Sequence, residues 1–197
     1  NYIVQKYEVF IVMCMIMKIS PRTLIVAVVA SILSMLFVKP VMGKKSGGKD
    51  PRDCPTAPEY ADIAKSVLWV KKGSVICFMK TYGATPSSLP EEYEIRYGWY
   101  LHMGEWATAT YIYYVIVRWI RNETHAYWRG ELWNGTRGGE GLIKELTCKI
   151  EHSKGKITLK MDAYHYQGKI AWQSDCKLST ASGSWWDLNP DYGLYEY

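Results

Sequence analysis

No catalytic signature is present in this 197-residue sequence. The histidines, His102, His125, His152 and His165, are scattered, and no serine occupies a nucleophile-elbow pattern. Gly138-Gly139-Glu140-Gly141 lacks the Lys-Ser/Thr pair of a phosphate loop. Glu91, Glu92 and Glu94 crowd one loop beside Pro90, where a solvated charge run is a simpler reading than a paired-carboxylate site. Cysteine is sparse, five in all, with no CxxC and no histidine at finger spacing, which speaks against zinc ligation. Charge of one sign is missing too: 24 Lys and Arg against 19 Asp and Glu leave a net +5, without the polycation that nucleic acid would demand. Phenylalanine is scarce at 3, whereas Trp reaches 9 and Tyr 16, too many aromatics for a disordered chain. These absences point to a binding protein, not an enzyme, with no cofactor and no nucleic-acid partner.

The chain opens on Asn1, and Met17 begins a short basic stretch, Met17-Lys18-Ile19-Ser20-Pro21-Arg22. An almost unbroken apolar run from Thr23 to Val38 follows, and then small-residue character at Val41-Met42-Gly43. Those are the three regions of a secretory signal peptide in order, with cleavage near Gly43. The expected organisation is therefore upstream, non-native translation over 1–16, a signal peptide over 17–43, a flexible lead-in over 44–58 and a single β-rich domain over 59–197. A signal anchor is the alternative: Leu24 to Phe37 is short for a bilayer span, although residues 9–16 lengthen it. The expected product is a secreted, extracellular monomer without a stable membrane anchor.

Beyond the leader the cysteines are Cys54, Cys77, Cys148 and Cys176, an even number suited to two disulfides in an oxidising compartment. Cys148 with Cys176 and Cys54 with Cys77 is one pairing; a crossed pairing is equally allowed. Two sequons, at Asn122 and Asn134, would place glycans on surface loops.

Helical spacing of Ile63, Ala64, Val67 and Leu68 predicts a short helix within 59–68. Strand patterns dominate thereafter. Tyr93, Ile95, Tyr97, Trp99 and Leu101 form one alternating face. Tyr111, Tyr113, Val115, Val117 and Trp119 form another, opposite Thr110, Ile112, Tyr114, Ile116 and Arg118. Leu142 to Ile150, Lys156 to Tyr164 and Lys169 to Leu178 predict a three-strand meander. About seven to nine strands suffice to close an antiparallel up-and-down barrel and remove its edges; a two-sheet β-sandwich is the alternative.

Two segments carry a family likeness: Lys72-Gly73-Ser74-Val75-Ile76-Cys77-Phe78-Met79-Lys80-Thr81-Tyr82, and Ala107-Thr108-Ala109-Thr110-Tyr111-Ile112-Tyr113-Tyr114. With the leader, four cysteines and sequons, the chain resembles the secreted salivary lipocalins of blood-feeding arthropods, particularly those of ticks. The family's glycine-x-tryptophan near the first strand is missing, since Trp69 precedes Gly73. The resemblance implies a barrel that binds small amines, lipid mediators or host proteins.

Apolar cavities with a few polar anchors are the usual small-molecule sites. Trp99, Tyr111, Tyr113, Trp119, Trp133 and Trp172 are the candidate lining, and Glu94, Glu131 or Asp162 the carboxylate for a cationic amine. The main expectation is thus sequestration of a small amine or hydrophobic ligand in an aromatic-lined barrel. The alternative is an extracellular protein-binding inhibitor or modulator using loops and the aromatic tail from Trp185-Trp186 to Tyr197. A ligand barrel demands a solvent-reachable aromatic interior; a protein binder demands a filled core with Trp185 or Trp186 exposed.

Overall fold

The computed structural model describes residues 45–71, 73–104, 106–122, 124–136, 141–166, 168–190 and 194–197. The expected leader lies outside them, and among the described residues no helix is long and apolar enough to cross a membrane. The strands in chain order are β1 (Lys45–Lys49), β2 (Ile63–Lys71), β3 (Ser74–Thr81), β4 (Glu94–Met103), β5 (Tyr111–Arg121) and β6 (Ala126–Asn134). They continue as β7 (Gly141–Leu146), β8 (Cys148–Glu151), β9 (Lys156–Asp162), β10 (Ile170–Thr180), β11 (Gly183–Asn189) and β12 (Tyr195–Glu196).

They form two sheets. One has the order β1-β2-β3-β9-β8; the other runs β11-β10-β4-β5-β6-β7, with β12 added to β10. All the ladders are antiparallel, and among the described strands none joins one sheet to the other. The up-and-down barrel is therefore wrong, and the two-sheet arrangement is what the chain adopts. The decisive place is Thr147. The expected single strand Leu142 to Ile150 breaks there into β7, paired with β6 of one sheet, and β8, paired with β9 of the other. A strand that changes sheets makes a corner instead of continuing a meander.

The short helix is also absent. Glu59–Ala61 makes one 3-10 turn, and Ile63 then enters β2, where Ser66, Leu68 and Val70 alternate inward. Val67 and Val70 favour the pleated state, and pairing to β3 over the whole strand outweighs a marginal helical spacing. Lys45–Lys49, within the lead-in, pairs with β2.

Large side chains fill the space between the sheets. Trp99, Trp172, Tyr97, Leu68, Met79, Leu101, Leu132 and Leu159 are fully buried, and each such aliphatic side chain contributes roughly 2 kcal/mol of transfer free energy. The polar ends of the aromatics find partners across the gap. Trp99 Nε1 donates to Ser66 Oγ at 3.2 Å, Trp172 Nε1 to Ser46 Oγ at 3.2 Å, and the Tyr97 hydroxyl to the Tyr60 carbonyl at 2.9 Å. Gly155 closes the turn into β9 with φ 58°, and a Cβ there would strike the Gly83 carbonyl and the Thr81 side chain.

No disulfide joins Cys54, Cys77, Cys148 or Cys176, contrary to the expected pair of bridges. Cys77 and Cys148 both stand opposite Leu159, one on each side of β9. Two strand spacings of about 4.8 Å separate them, beyond the roughly 7 Å that a disulfide spans between Cα atoms. Burial pushes the Cys77 thiol well above its ordinary range, as it does Cys176, so neither is poised as a nucleophile.

Candidate functional site: the outer face of the larger sheet

Register determines what faces outward. Trp186, Lys177, Arg96, Arg118 and Arg129 stand directly opposite one another across β11, β10, β4, β5 and β6, forming one row. The row beside it is Asp175, Gly98, Ile116, Glu131 and Glu145. Like charges placed opposite each other are destabilising, and the second row supplies the compensation.

Asp175 is fully buried and accepts three hydrogen bonds on Oδ2, from Arg96 Nη2 at 2.9 Å, Tyr100 Oη at 3.0 Å and Trp186 Nε1 at 3.1 Å. Burial pulls the Arg96 guanidinium down, but Asp175 and then Tyr100 outweigh it, so its affinity for the proton is raised. Burial first, and then Asp175, push the Tyr100 hydroxyl well above its ordinary range. Glu131, equally buried, takes Arg118 Nη2 at 2.9 Å and Arg129 Nε at 2.6 Å on one oxygen, and Trp133 Nε1 at 2.8 Å on the other. Burial pushes its carboxyl up, yet the bonds from Trp133, Arg118 and Arg129 hold it below its ordinary value.

One ring stands out from this face. Trp186 is 61% exposed although its indole N–H is pinned to Asp175. The tail beyond it packs down instead: Tyr195 lies against Trp172 with ring centroids 4.8 Å apart, and its hydroxyl donates to Asn189 Oδ1 at 2.6 Å. A groove of about 440 Å³ opens beside the middle of the row, between Glu94, Arg96, Arg118, Arg121 and Lys177.

The residues expected to line a ligand cavity do not converge. Trp99 and Trp172 are core, and Tyr113 is buried beside them. Tyr111 stacks on His165 at 3.7 Å, and Trp119 packs edge-on against Trp128 at 5.4 Å. Trp133 belongs to the Glu131 network on the outer face. Of the carboxylates, Glu94 is exposed beside the groove, Glu131 is neutralised by two arginines, and Asp162 is exposed and paired with Lys144 at 3.0 Å. The aromatic-lined barrel for an amine is therefore ruled out: its aromatics are spent on packing and on hydrogen bonds. Asn122 lies on an exposed turn, and Asn134 is half-buried at the end of β6.

Sequence reading missed Arg96, Arg129, Asp175 and Lys177. The available signal was a charged residue in the outward phase of a strand whose other phase is apolar, as at Arg96 between Ile95 and Tyr97.

A second polar cluster lies on the inner face of β11, at Asp187, directly after Trp186 in the chain. Asp53, Cys54 and Asp187 bring their donor atoms within 4.8 Å of one another. Asp187 is buried and accepts the Ile63 N–H. Neighbouring Asp62 is 1% exposed, its Oδ2 lies 3.9 Å from Arg52 Nε, and its Oδ1 has no hydrogen-bond partner. Burial, and then Asp53, push its carboxyl up. An orphaned buried carboxylate oxygen is costly, so Asp62→Asn is expected to stabilise the metal-free protein by about 1 kcal/mol at neutral pH. Denaturant unfolding in chelator checks this; a destabilised variant would show that the charge is needed there.

No family model, curated protein or solved structure matches this chain, and the lipocalin likeness fails on that and on the two open sheets.

Proposed function

We propose that this chain is a protein-binding module whose contact surface is the outer face of the larger sheet, with Trp186 as its anchor. The observation that carries this reading is the combination of a filled interior and a large aromatic ring held outward by a hydrogen bond to a buried carboxylate. A partner meets an indole that is already positioned, which lowers the ordering cost of binding. Tryptophan and arginine dominate interface hot spots, and here they share one row. The signal-like leader suits an extracellular partner.

The test is retention of proteins from an extracellular fraction by the immobilised chain, compared with Trp186→Ala of unchanged circular dichroism. A specific partner should bind the variant roughly 30-fold more weakly, the equivalent of a hot-spot loss of about 2 kcal/mol. Equal affinity for both would overturn the reading.

A further inference from the structure

We infer that Asp53, Cys54 and Asp187 form a structural site for a thiophilic divalent cation of the Zn²⁺ class, with the buried Asp62 carboxylate beside it. The cluster lies on the opposite face of β11 from Trp186, and the inference does not rest on the protein-binding reading.

The first observation is the donor set. One thiol and two carboxylates from separate segments, 53–54 before β2 and 187 in β11, converge to within 4.8 Å. Zinc bonds sulfur at about 2.3 Å and carboxylate oxygen at about 2.1 Å, so the donors of one zinc shell stand some 3–4 Å apart. The three need only draw in by about an ångström. A thiolate favours zinc over calcium or magnesium, which prefer all-oxygen shells.

The second observation is independent of the trio. Asp62 is a buried carboxylate with one oxygen unpartnered. It stands beside the cluster: its chain neighbour Ile63 donates to Asp187, and the Asp53 charge acts on its carboxyl. Arg52 is the cation that approaches it, at 3.9 Å and on the other oxygen. Asp62 and Asp187 are two buried carboxylates side by side in the fold, and a divalent ion bound at the trio would offset their charge. Bound there, it would tie the irregular segment 50–58 to β11 and to the start of β2. The thiol gives up its proton to solvent as the metal binds, so no oxidant or reductant is required.

The test uses the full chain, reduced and stripped with chelator, then titrated with Cd²⁺ as a spectroscopic stand-in for Zn²⁺. The expected result is a thiolate-to-metal charge-transfer band saturating at one ion per chain, displaced by Zn²⁺, with Tm rising by several degrees. Cys54→Ser should abolish the band, and Asp53→Asn should weaken binding about tenfold or more. Cys148→Ser should leave the band intact. A band that survives Cys54→Ser would overturn the proposal, as would a Tm unmoved by Zn²⁺. So would a Cys54 sulfur that a thiol reagent cannot titrate in the unfolded, unreduced chain.

Discussion

Alanine at Asp175 is expected to cost about 3 kcal/mol and alanine at Gly98 about as much, while the two together cost far less than their sum. Asp175 is fully buried, and its loss strips Arg96, Tyr100 and Trp186 of one shared acceptor. Arg96 stays 37% exposed and can turn to water, which holds the cost toward the lower end for a broken buried pair. Gly98 stands directly opposite Asp175, and a Cβ there would overlap Asp175 Oδ1. No special φ requires this glycine; the carboxylate occupies the space where its side chain would be. Once Asp175 is alanine, the nearest neighbour of that Cβ is the Tyr100 ring at 3.9 Å, an ordinary contact. Urea unfolding of the two single variants and the double variant should give a coupling of about 3 kcal/mol. Additive costs would mean that Gly98 serves some purpose other than making room for Asp175. The same cycle bears on function, because Trp186 is pinned by this carboxylate, so Asp175→Ala should also weaken a Trp186-dependent partner.

Much of the layering was legible in the residues themselves. Ile95, Tyr97, Trp99 and Leu101 alternate as a buried face, as do Val115 with Val117 and Ile157 with Leu159 and Met161, because a one-sided strand must repeat every second residue. The exposed Trp186 was legible as one of two discriminating residues. What sequence could not show is where the chain changes sheets. Leu146-Thr147-Cys148 is as strand-like as its flanks, and only the pairing of β8 with β9 reveals the corner. Ile63 to Leu68 misled for the opposite reason, since its apolar spacing suits a helix until β3 is present to pair with it. The lead-in glycines Gly47-Gly48 suggested flexibility, yet they sit in β1, Gly47 close against β2 and Gly48 against the Tyr195 hydroxyl, where small residues permit the approach. The outer-face row was hidden most completely. Lys177, Arg96, Arg118 and Arg129 are far apart in sequence, and nothing but cross-strand register aligns them.

Glu131→Ala is expected to destabilise by about 3 kcal/mol at neutral pH, and Glu131→Gln by about 2, with both penalties shrinking in acid. The carboxylate is buried beneath Arg118 and Arg129, which stand directly opposite each other on β5 and β6. Removing it leaves two guanidinium groups facing without a counter-charge, and Trp133 Nε1 without its acceptor. The arginines are 40% and 22% exposed, so solvent screens part of their repulsion, and the glutamine variant can still accept from the indole. The sign of the pH dependence follows from the depressed folded pKa. Such a group contributes its stability above the unfolded carboxyl value of about 4.3 and loses it as pH falls through the lower folded value. The gap between wild type and Glu131→Gln should therefore be constant from about pH 7 to 5 and close progressively below about pH 4. Unfolding midpoints measured across that range decide the matter. A gap that persists at the lowest pH would assign the stability to shape and hydrogen bonding at position 131, whereas a closing gap assigns it to the charge that holds the arginine row together.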